Sequence, residues 1–538
     1  MYECPNCGGN MKFDIPSQQL KCEQCHSLMD PYSCSKEHDA ESSQMYEATV
    51  FTCPQCGGEI IGSETSAAEF CSFCGASTIL SSRISSARRP NYIIPFSKTK
   101  DDCKKSYSAL MKKAFFAPKE LKDEKRIDSF RAIYVPYWAY HIDQNGDVLL
   151  SGEKTFRRGN YIYTNHFKLG CTVNAYYKGM TFDASSTFDD SLSESIAPYD
   201  VRGMKEFTPS ILSGFYADIS DVDCNIYIED AEAFANNNTY EAIENNPDFF
   251  GIHITAPVSD SSLSSTLNTS CQAIDSAMFP VYFMSYRKGG RVAYAVVNGQ
   301  TGKVTADIPV DRRKYILFSL LMAIPIFLLL NLLFTVKATT VISVAAVLSV
   351  ITQLIYMNGL SKIMRREMQL DDKGFQYSKD AKVRTSSRKT AASGSFNTSA
   401  SAGVRKKKSK INAASVIIIA AVCIIFMSVF MSALQLLSGL ILPAAAIASF
   451  VIMIFEFRKY SALPAGKGFP VFLLSFAAVL ACVIIRIFNP VSDIWYYSGA
   501  ILVLAAVIAT NIAIINKHNI LSTRRLPQFN RKGGDDRA

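Results

Sequence analysis

Apolar residues are spread unevenly along this chain of 538 residues. Up to about residue 310 they come in short stretches broken by polar and turn-forming residues, the texture of soluble protein; beyond it they merge into long runs. Six runs stand out: Tyr315–Val336, Thr339–Asn358, Ala413–Leu434, Leu440–Phe457, Phe469–Phe488 and Trp495–Ile515. Each holds about 18–22 residues, enough to cross ~30 Å of hydrocarbon at about 1.5 Å per residue. A buried soluble helix could account for any one run. Six in succession, separated by charged turns, point instead to about six transmembrane helices in three hairpins, over 315–358, 413–457 and 469–515.

The stretch 91–310 reads as one soluble domain of mixed α+β character. It opens with a strand at Tyr92–Phe96, followed by a helical pattern from about Lys100 to Phe115 and an aromatic strand from Ile133 to His141. Asn145-Gly146 predicts a hairpin turn. Helical stretches follow near Thr208–Phe215 and Asp230–Phe234. Alternation from Phe279 to Tyr286, a Lys-Gly-Gly turn and the run Arg291–Val297 predict a β-hairpin. Asn298–Gly302 makes the next turn and Lys303–Ile308 the next strand.

The formal charge of +9 is not shared evenly. Between Lys362 and Lys410 there are 14 Lys and Arg against 4 Asp and Glu, a net +10, whereas residues 1–90 carry 6 basic and 11 acidic residues, a net −5. The segment 362–410 is rich in Ser, Thr, Ala and Gly and is expected to be disordered. Its basic cluster beside the third span could hold anionic lipid headgroups at ~1 kcal/mol per Lys or Arg; service as a topology signal alone is the equal alternative. Basic clusters also precede the first span (Arg312-Arg313-Lys314), separate the fourth from the fifth (Arg458-Lys459, Lys467) and fill the tail 516–538 (Lys517, Arg524, Arg525). The opposite turns hold Lys337 and Asp493 as their charges. All basic clusters thus fall on one side with both termini. The positive-inside bias makes that side the cytoplasm of a multi-pass cell-membrane protein. The opening Met1-Tyr2-Glu3-Cys4 lacks a basic region followed by an apolar stretch, so no cleavable signal peptide is expected.

Nine of the fifteen cysteines fall within the first 74 residues. Cys4-Pro5-Asn6-Cys7 is followed after fourteen residues by Cys22-Glu23-Gln24-Cys25. Forty-nine residues on, the spacing returns as Cys53-Pro54-Gln55-Cys56 and Cys71-Ser72-Phe73-Cys74. An aromatic residue stands two before each first cysteine (Tyr2, Phe51), and Gly-Gly follows each second one (Gly8-Gly9, Gly57-Gly58), so the chain carries an internal repeat. Two cysteines two residues apart can turn both sulfurs toward one ion from a single knuckle, and two knuckles close a tetrahedral Cys4 site. In a reducing compartment this spacing reads as metal ligands and not as disulfides. The expectation is two structural Zn²⁺ sites in two zinc ribbons, 1–30 and 51–80, held by Cys4, Cys7, Cys22, Cys25 and by Cys53, Cys56, Cys71, Cys74. No position is left open for water, which argues against catalysis at the metal. His26 stands where Gly75 follows Cys74 and is read as a bystander, replacement of Cys25 being the alternative.

Catalytic signatures are missing. Asn298–Val304 approaches a phosphate loop, but residue 297 is Val where glycine is required, and Lys303 is followed by Val304. His141, His166 and His253 stand apart from any Cys or Ser signature, and Asp189-Asp190 lies in a Ser-rich stretch that reads as a solvated loop. No enzyme activity is expected. The spans hold no Asp or Glu before Glu456, at a cytoplasmic end, which disfavours ion-coupled transport. Gln353, Asn331, Gln435 and Asn511 read as helix–helix contacts.

The doublets resemble the zinc ribbons of transcription factor IIB and the cysteine doublets of the primosomal replication helicase, which contact nucleic acid or protein partners. A positive surface normally accompanies nucleic-acid binding, and this end is acidic. A protein partner, or plain structural use, is therefore expected, and no specific nucleic acid. Tyr92-Ile93-Ile94-Pro95-Phe96, Ile133-Tyr134-Val135-Pro136-Tyr137-Trp138, Ala197-Pro198-Tyr199-Asp200 and Val297–Lys303 occur in this order. Together they resemble a group of bacterial zinc-ribbon membrane proteins often labelled primosomal-helicase-like, over about residues 1–315. The resemblance implies ribbon, soluble domain and membrane segments, and no activity. The reading is a membrane-anchored zinc-ribbon scaffold or sensor that binds a cytoplasmic partner. The alternatives are a transporter or channel subunit with a regulatory zinc domain, and an enzyme in 91–310 acting on a membrane-associated substrate.

Overall fold

The structure, a computed structural model, describes residues 2–35, 45–61, 71–74, 81–254, 264–288, 290–333, 337–367, 373, 440–459 and 469–526. The third expected span, 413–434, most of the 362–410 linker and the tail beyond 526 lie outside the described residues.

Strands β1 (Met11–Asp14), β2 (Gln19–Cys22) and β3 (Leu28–Met29) form a small antiparallel sheet around the first cysteine set. Among the described residues a second sheet holds thirteen strands. These are β4 (Met45–Thr52), β5 (Glu59–Ile61), β6 (Ser81–Arg88), β7 (Tyr92–Ile93), β8 (Arg131–Arg158), β9 (Tyr161–Asp183), β10 (Lys205–Glu206), β11 (Tyr216–Asp218), β12 (His253–Ile254), β13 (Ser270–Lys288), β14 (Arg291–Asn298), β15 (Val304–Ala306) and β16 (Arg524–Arg525). The main path runs β10-β7-β13-β8-β11-β5-β4-β6, with β14 on β13 and both β15 and β16 on β14.

Period-two alternation in the central strands sorts side chains into two cores. Tyr134, Met278, Tyr282, Met284, Ala293, Ala295 and Val297 face one side. There they meet Cys103, Tyr107 and Met111 of α1 (Lys100–Lys113), and Met11, Phe13 and Leu20 of the first ribbon. Helix α1 begins where the pattern placed it: Thr99 and Asp102 form a capping box. Ile133, Val135, Tyr137, Phe279, Val281, Val292 and Val296 face the other side, under Leu192 and Ile196 of α2 (Asp190–Ile196).

Two expectations fail in instructive ways. Asn145-Gly146 is no turn: β8 runs straight through it and pairs with β9 from Tyr137↔Asp183 to Arg158↔Tyr161, reversing at Gly159, whose φ is +64°. Gly146 serves close approach instead, since a Cβ there would lie 2.1 Å from the Thr266 carbonyl oxygen, and the Asn145 amide donates to the Leu267 carbonyl at 2.7 Å. The stretch seen as helical at Thr208–Phe215 is a 3₁₀ turn, Pro209–Leu212. The one near Asp230 extends to α3 (Ile228–Glu244), through Asn236-Asn237-Asn238-Thr239. Poor helix formers are tolerated there because buried Asn236 and Thr239 hydrogen-bond Gln144, Thr269, Ser264 and Tyr177.

The four segments that carry the family resemblance meet at one joint. The Ser97 and Lys98 amides donate to the Gly299 carbonyl, and a Cβ on Gly299 would lie 2.5 Å from the Phe96 ring. Tyr137 stacks on Phe279 and meets Tyr199. Asn298 donates to the Ile196 carbonyl at 3.0 Å, Lys303 Nζ donates to the Ala197 carbonyl, and Gln300 both accepts from and donates to the Asp200 backbone. Asn298–Lys303 is a turn between β14 and β15, with no helix after it.

Four described helices are long and apolar enough to cross a membrane: α5 (Ala338–Glu367), α6 (Leu440–Lys459), α7 (Phe469–Phe488) and α8 (Ile494–Leu521). A further helix, α4 (Arg312–Leu333), covers the first expected run, with Leu317, Leu320, Leu321 and Leu328 exposed. Inside the bundle sit small residues such as Ala345, Ala346, Ala446, Ala478, Ala500 and Ala506, while Phe450, Phe455, Ile487, Leu502 and Ile508 point outward. Small residues within and large apolar ones without is the arrangement of helices packed in lipid. Gln353 of α5 bonds Ser449 of α6 at 2.9 Å as a helix–helix contact, whereas Asn511 is exposed.

Gly146→Ala should destabilise the soluble region by about 1–3 kcal/mol, the usual cost of forcing atoms into a filled space, because its Cβ would meet backbone and not a movable side chain. Thermal denaturation left almost unchanged by this substitution would contradict the close approach of Thr266.

Candidate metal centres

The repeat in the sequence becomes a repeat in backbone. The Cys4 amide donates to the Gly9 carbonyl and the Gly8 amide to the Cys4 carbonyl; Cys53, Gly58 and Gly57 make the same pair of bonds. Gly8 and Gly57 take φ of +70° and +75°, the left-handed region that glycine enters at no steric cost. His26 takes φ +59° at the corresponding place after Cys25. Its role is conformational, and it stands outside the group of sulfurs.

The structure brings all eight cysteines into two sets of four, Cys4, Cys7, Cys22, Cys25 and Cys53, Cys56, Cys71, Cys74, and each set could hold a metal ion. In the first set Sγ of Cys4 lies 3.5 Å from that of Cys25, and Cys7 3.4 Å from Cys22. In the second, Cys53 to Cys74 is 3.9 Å and Cys56 to Cys71 is 3.7 Å. Four sulfurs about 2.3 Å from a central ion stand roughly 3.8 Å apart, so the second set already has tetrahedral dimensions and the first needs a small expansion. None of these cysteines is in a disulfide.

The two sets differ in their surroundings. Cys7 and Cys25 of the first are exposed. The Ser27 hydroxyl, 2.9 Å from Cys25, helps draw that thiol down to about 6, which favours the thiolate a metal needs. The second set is wholly buried. There the hydrogen bonds to Cys71 and Cys74, with burial, hold the Cys56 thiol far above its usual range. Adjacent buried sulfurs keep their protons unless a cation replaces them.

The second ribbon is also part of the large sheet. Ile60 and Ile61 of β5 pair with Asp218 and Ala217 of β11, and Tyr294 of β14 donates its hydroxyl to the Phe73 carbonyl at 2.7 Å. Phe73 packs on Phe283, and a Cβ on Gly58 would come within 2.5 Å of the Phe73 ring. The first ribbon docks through the Phe13 amide to the Ser213 carbonyl, the Ser213 hydroxyl to the Met11 carbonyl, and Phe13 against Phe215.

Of the histidines, His141 pairs with Asp275 at 2.9 Å and His166 with Glu153 at 3.0 Å. Asp189-Asp190 is not a solvated loop. Asp189 caps α2 and takes Arg524, which holds its carboxyl below the usual range despite burial. Sequence reasoning passed over Asp218. It is buried on β11 beside the second ribbon, accepts from Ser185, Thr187 and the Ile219 amide, and is pushed up to about 7 by burial. It lines a cleft of about 50 Å³ with Ile61, Tyr137, Trp138, Ser276 and Met278. No local pattern marks it, because its neighbours come from five separate strands and loops.

No family model matches the chain, and no solved structure matches it. The chain is similar to a protein of Bacillus subtilis (strain 168) described as uncharacterized protein YdjG, 29% identical over 321 residues that cover 58% of this chain and 91% of the relative.

Elemental analysis of the full-length protein should find two thiophilic metal ions per chain. A chelator should remove them in two phases, the first from the set with exposed Cys7 and Cys25, the second from the buried set. A single phase, or one ion, would contradict the structural difference between them.

Asp218 is protonated more readily in the folded chain than in the unfolded one, from an ordinary 3.8 to about 7. Its contribution is full below the unfolded value and is lost as pH rises toward the folded one. Asp218→Asn should therefore gain on the wild type in melting temperature as pH rises from about 5 to about 8. A difference that stays constant with pH would place this carboxyl in water.

Proposed function

We propose that this protein is a membrane-anchored zinc-ribbon scaffold or sensor whose soluble face binds a cytoplasmic protein partner, with no catalysis of its own. Closed sets of four cysteines leave no coordination position for water or substrate. Thiolates at tetrahedral spacing in a reducing compartment favour zinc as the ion. On this reading the chain crosses the membrane about six times, with α4 as the first span; the third expected span, 413–434, lies outside the described residues.

The observation that carries this reading is the way the helix ends gather against the sheet domain and one another. Lys314 at the start of α4 donates to the Ala117 carbonyl at 2.7 Å. Arg366 at the end of α5 reaches the Leu521 carbonyl and Asp307. The chain leaving α8 pairs with β14 as β16, Arg291↔Arg525 and Val292↔Arg524, while Arg291 donates to Thr523 and the Ile520 carbonyl. Each of these three ends is flanked by a basic cluster, as is the end of α6 at Arg458-Lys459, which supports a shared cytoplasmic side. A soluble unit tied at three points to its own membrane helices suits the transmission of a binding event, and a tethered enzyme would need no such ties.

The test is affinity purification of the full-length protein from detergent, beside a Cys7→Ser/Cys25→Ser variant. A cytoplasmic protein recovered in near-equal amount with the wild type and lost with the variant is expected. Equal recovery with both, or none with either, would remove the first ribbon from the binding role.

A further inference from the structure

Glu456 lies three residues from the end of α6 and is 1% exposed. Neither carboxylate oxygen has a hydrogen-bond donor. One turn earlier Met453 packs with Tyr356 and Leu360 of α5 and Phe472 of α7. Lys517 of α8 is 7% exposed, and its ammonium sits 5.8 Å from the centre of the Tyr356 ring. Glu456 interacts electrostatically with both Lys517 and Tyr356. Among the described residues, these are the titratable groups that the helices packed around it present. On its own helix Arg458 and Lys459 are exposed, the latter over Phe455.

A buried carboxylate without donors carries a large desolvation cost, which one proton removes. The nearby cation is engaged by a ring face, an arrangement that leaves the carboxyl free to be neutral. We propose that Glu456 is an intramembrane proton-binding site whose charge state sets the position of the Lys517 ammonium. With the proton bound, Lys517 rests on Tyr356. When the proton leaves to cytoplasmic water, the carboxylate draws the ammonium toward itself.

The consequence is mechanical. Lys517 stands two residues before Asn519, whose side chain exchanges hydrogen bonds with both backbone groups of Val310 at 2.7 and 2.9 Å, and seven before Arg524 in β16. A shift of Lys517 therefore pulls on the segment that joins the bundle to the sheet, and the protonation of Glu456 becomes legible to the soluble region.

Dicyclohexylcarbodiimide adds to protonated carboxyls in apolar surroundings and tests this on the full-length protein in lipid nanodiscs. Mass spectrometry should place the adduct on Glu456, with labelling that falls about tenfold per pH unit above its pKa. Lys517→Met should move that midpoint upward, and Lys517→Gln should do the same if the first variant folds poorly. Glu456→Gln should abolish the adduct while keeping the melting temperature. An unlabelled Glu456, labelling that does not vary between about pH 5 and about pH 9, or a midpoint unmoved by both Lys517 variants would overturn the proposal. Suppression by sodium at fixed pH would overturn it in favour of a metal-cation site.

Discussion

Four sulfurs held side by side under a β-sheet tolerate either their own protons or a cation, and the second cysteine set imposes that choice on everything around it. Its sulfurs sit at tetrahedral spacing with all four residues buried. Protons on them leave a cluster of weak hydrogen bonds, whereas an ion joins two knuckles fifteen residues apart into one rigid corner. That corner is where β5 enters the large sheet and where Tyr294 and Phe283 meet Phe73. The organisation of β4, β5, β6 and β11 thus depends on a coordination site much smaller than the sheet it supports.

The same part of β14 carries a second constraint. Arg524 is inserted between Asp189 and Asp307 with its guanidinium over Tyr294, and burial leaves it little choice but to keep those partners. Tyr294 therefore touches both systems: its hydroxyl holds the cysteine ribbon, and its ring face holds the tail of the last membrane helix. A change in metal occupancy and a change in the helix bundle converge on the same side chain, which gives the sensor reading a physical route through a contiguous set of contacts.

Local rules were legible in the residues themselves. The doublet spacing, the glycines at positive φ, the Thr99–Asp102 capping box and the long apolar runs each depend on a few neighbours along the chain, so they could be read without knowing the fold. They specified the two sets of four cysteines, the start of α1 and the four described helices long and apolar enough to cross a membrane. Asn145-Gly146 carries a strong local turn signal, yet β8 continues through it because both residues pair with β9, and the glycine serves the close approach of the Thr266 backbone. The asparagine run in α3 is poor in helix formers and is helix nonetheless, held by Gln144, a distant residue that bonds the Asn236 side chain and the Thr239 hydroxyl.

What the sequence by itself determined, then, is the chemistry of the ligands, the membrane class and the alternating pattern that divides the sheet into two cores. Tertiary structure alone decided that the second ribbon is a strand of the main sheet, that β16 returns from the far end of the chain to its edge, and that Asp218 and Glu456 are buried. The reason is range. A knuckle or a cap is an interaction between residues within one turn of each other, whereas burial of a carboxyl depends on surfaces brought together across hundreds of residues, and no local window holds that information.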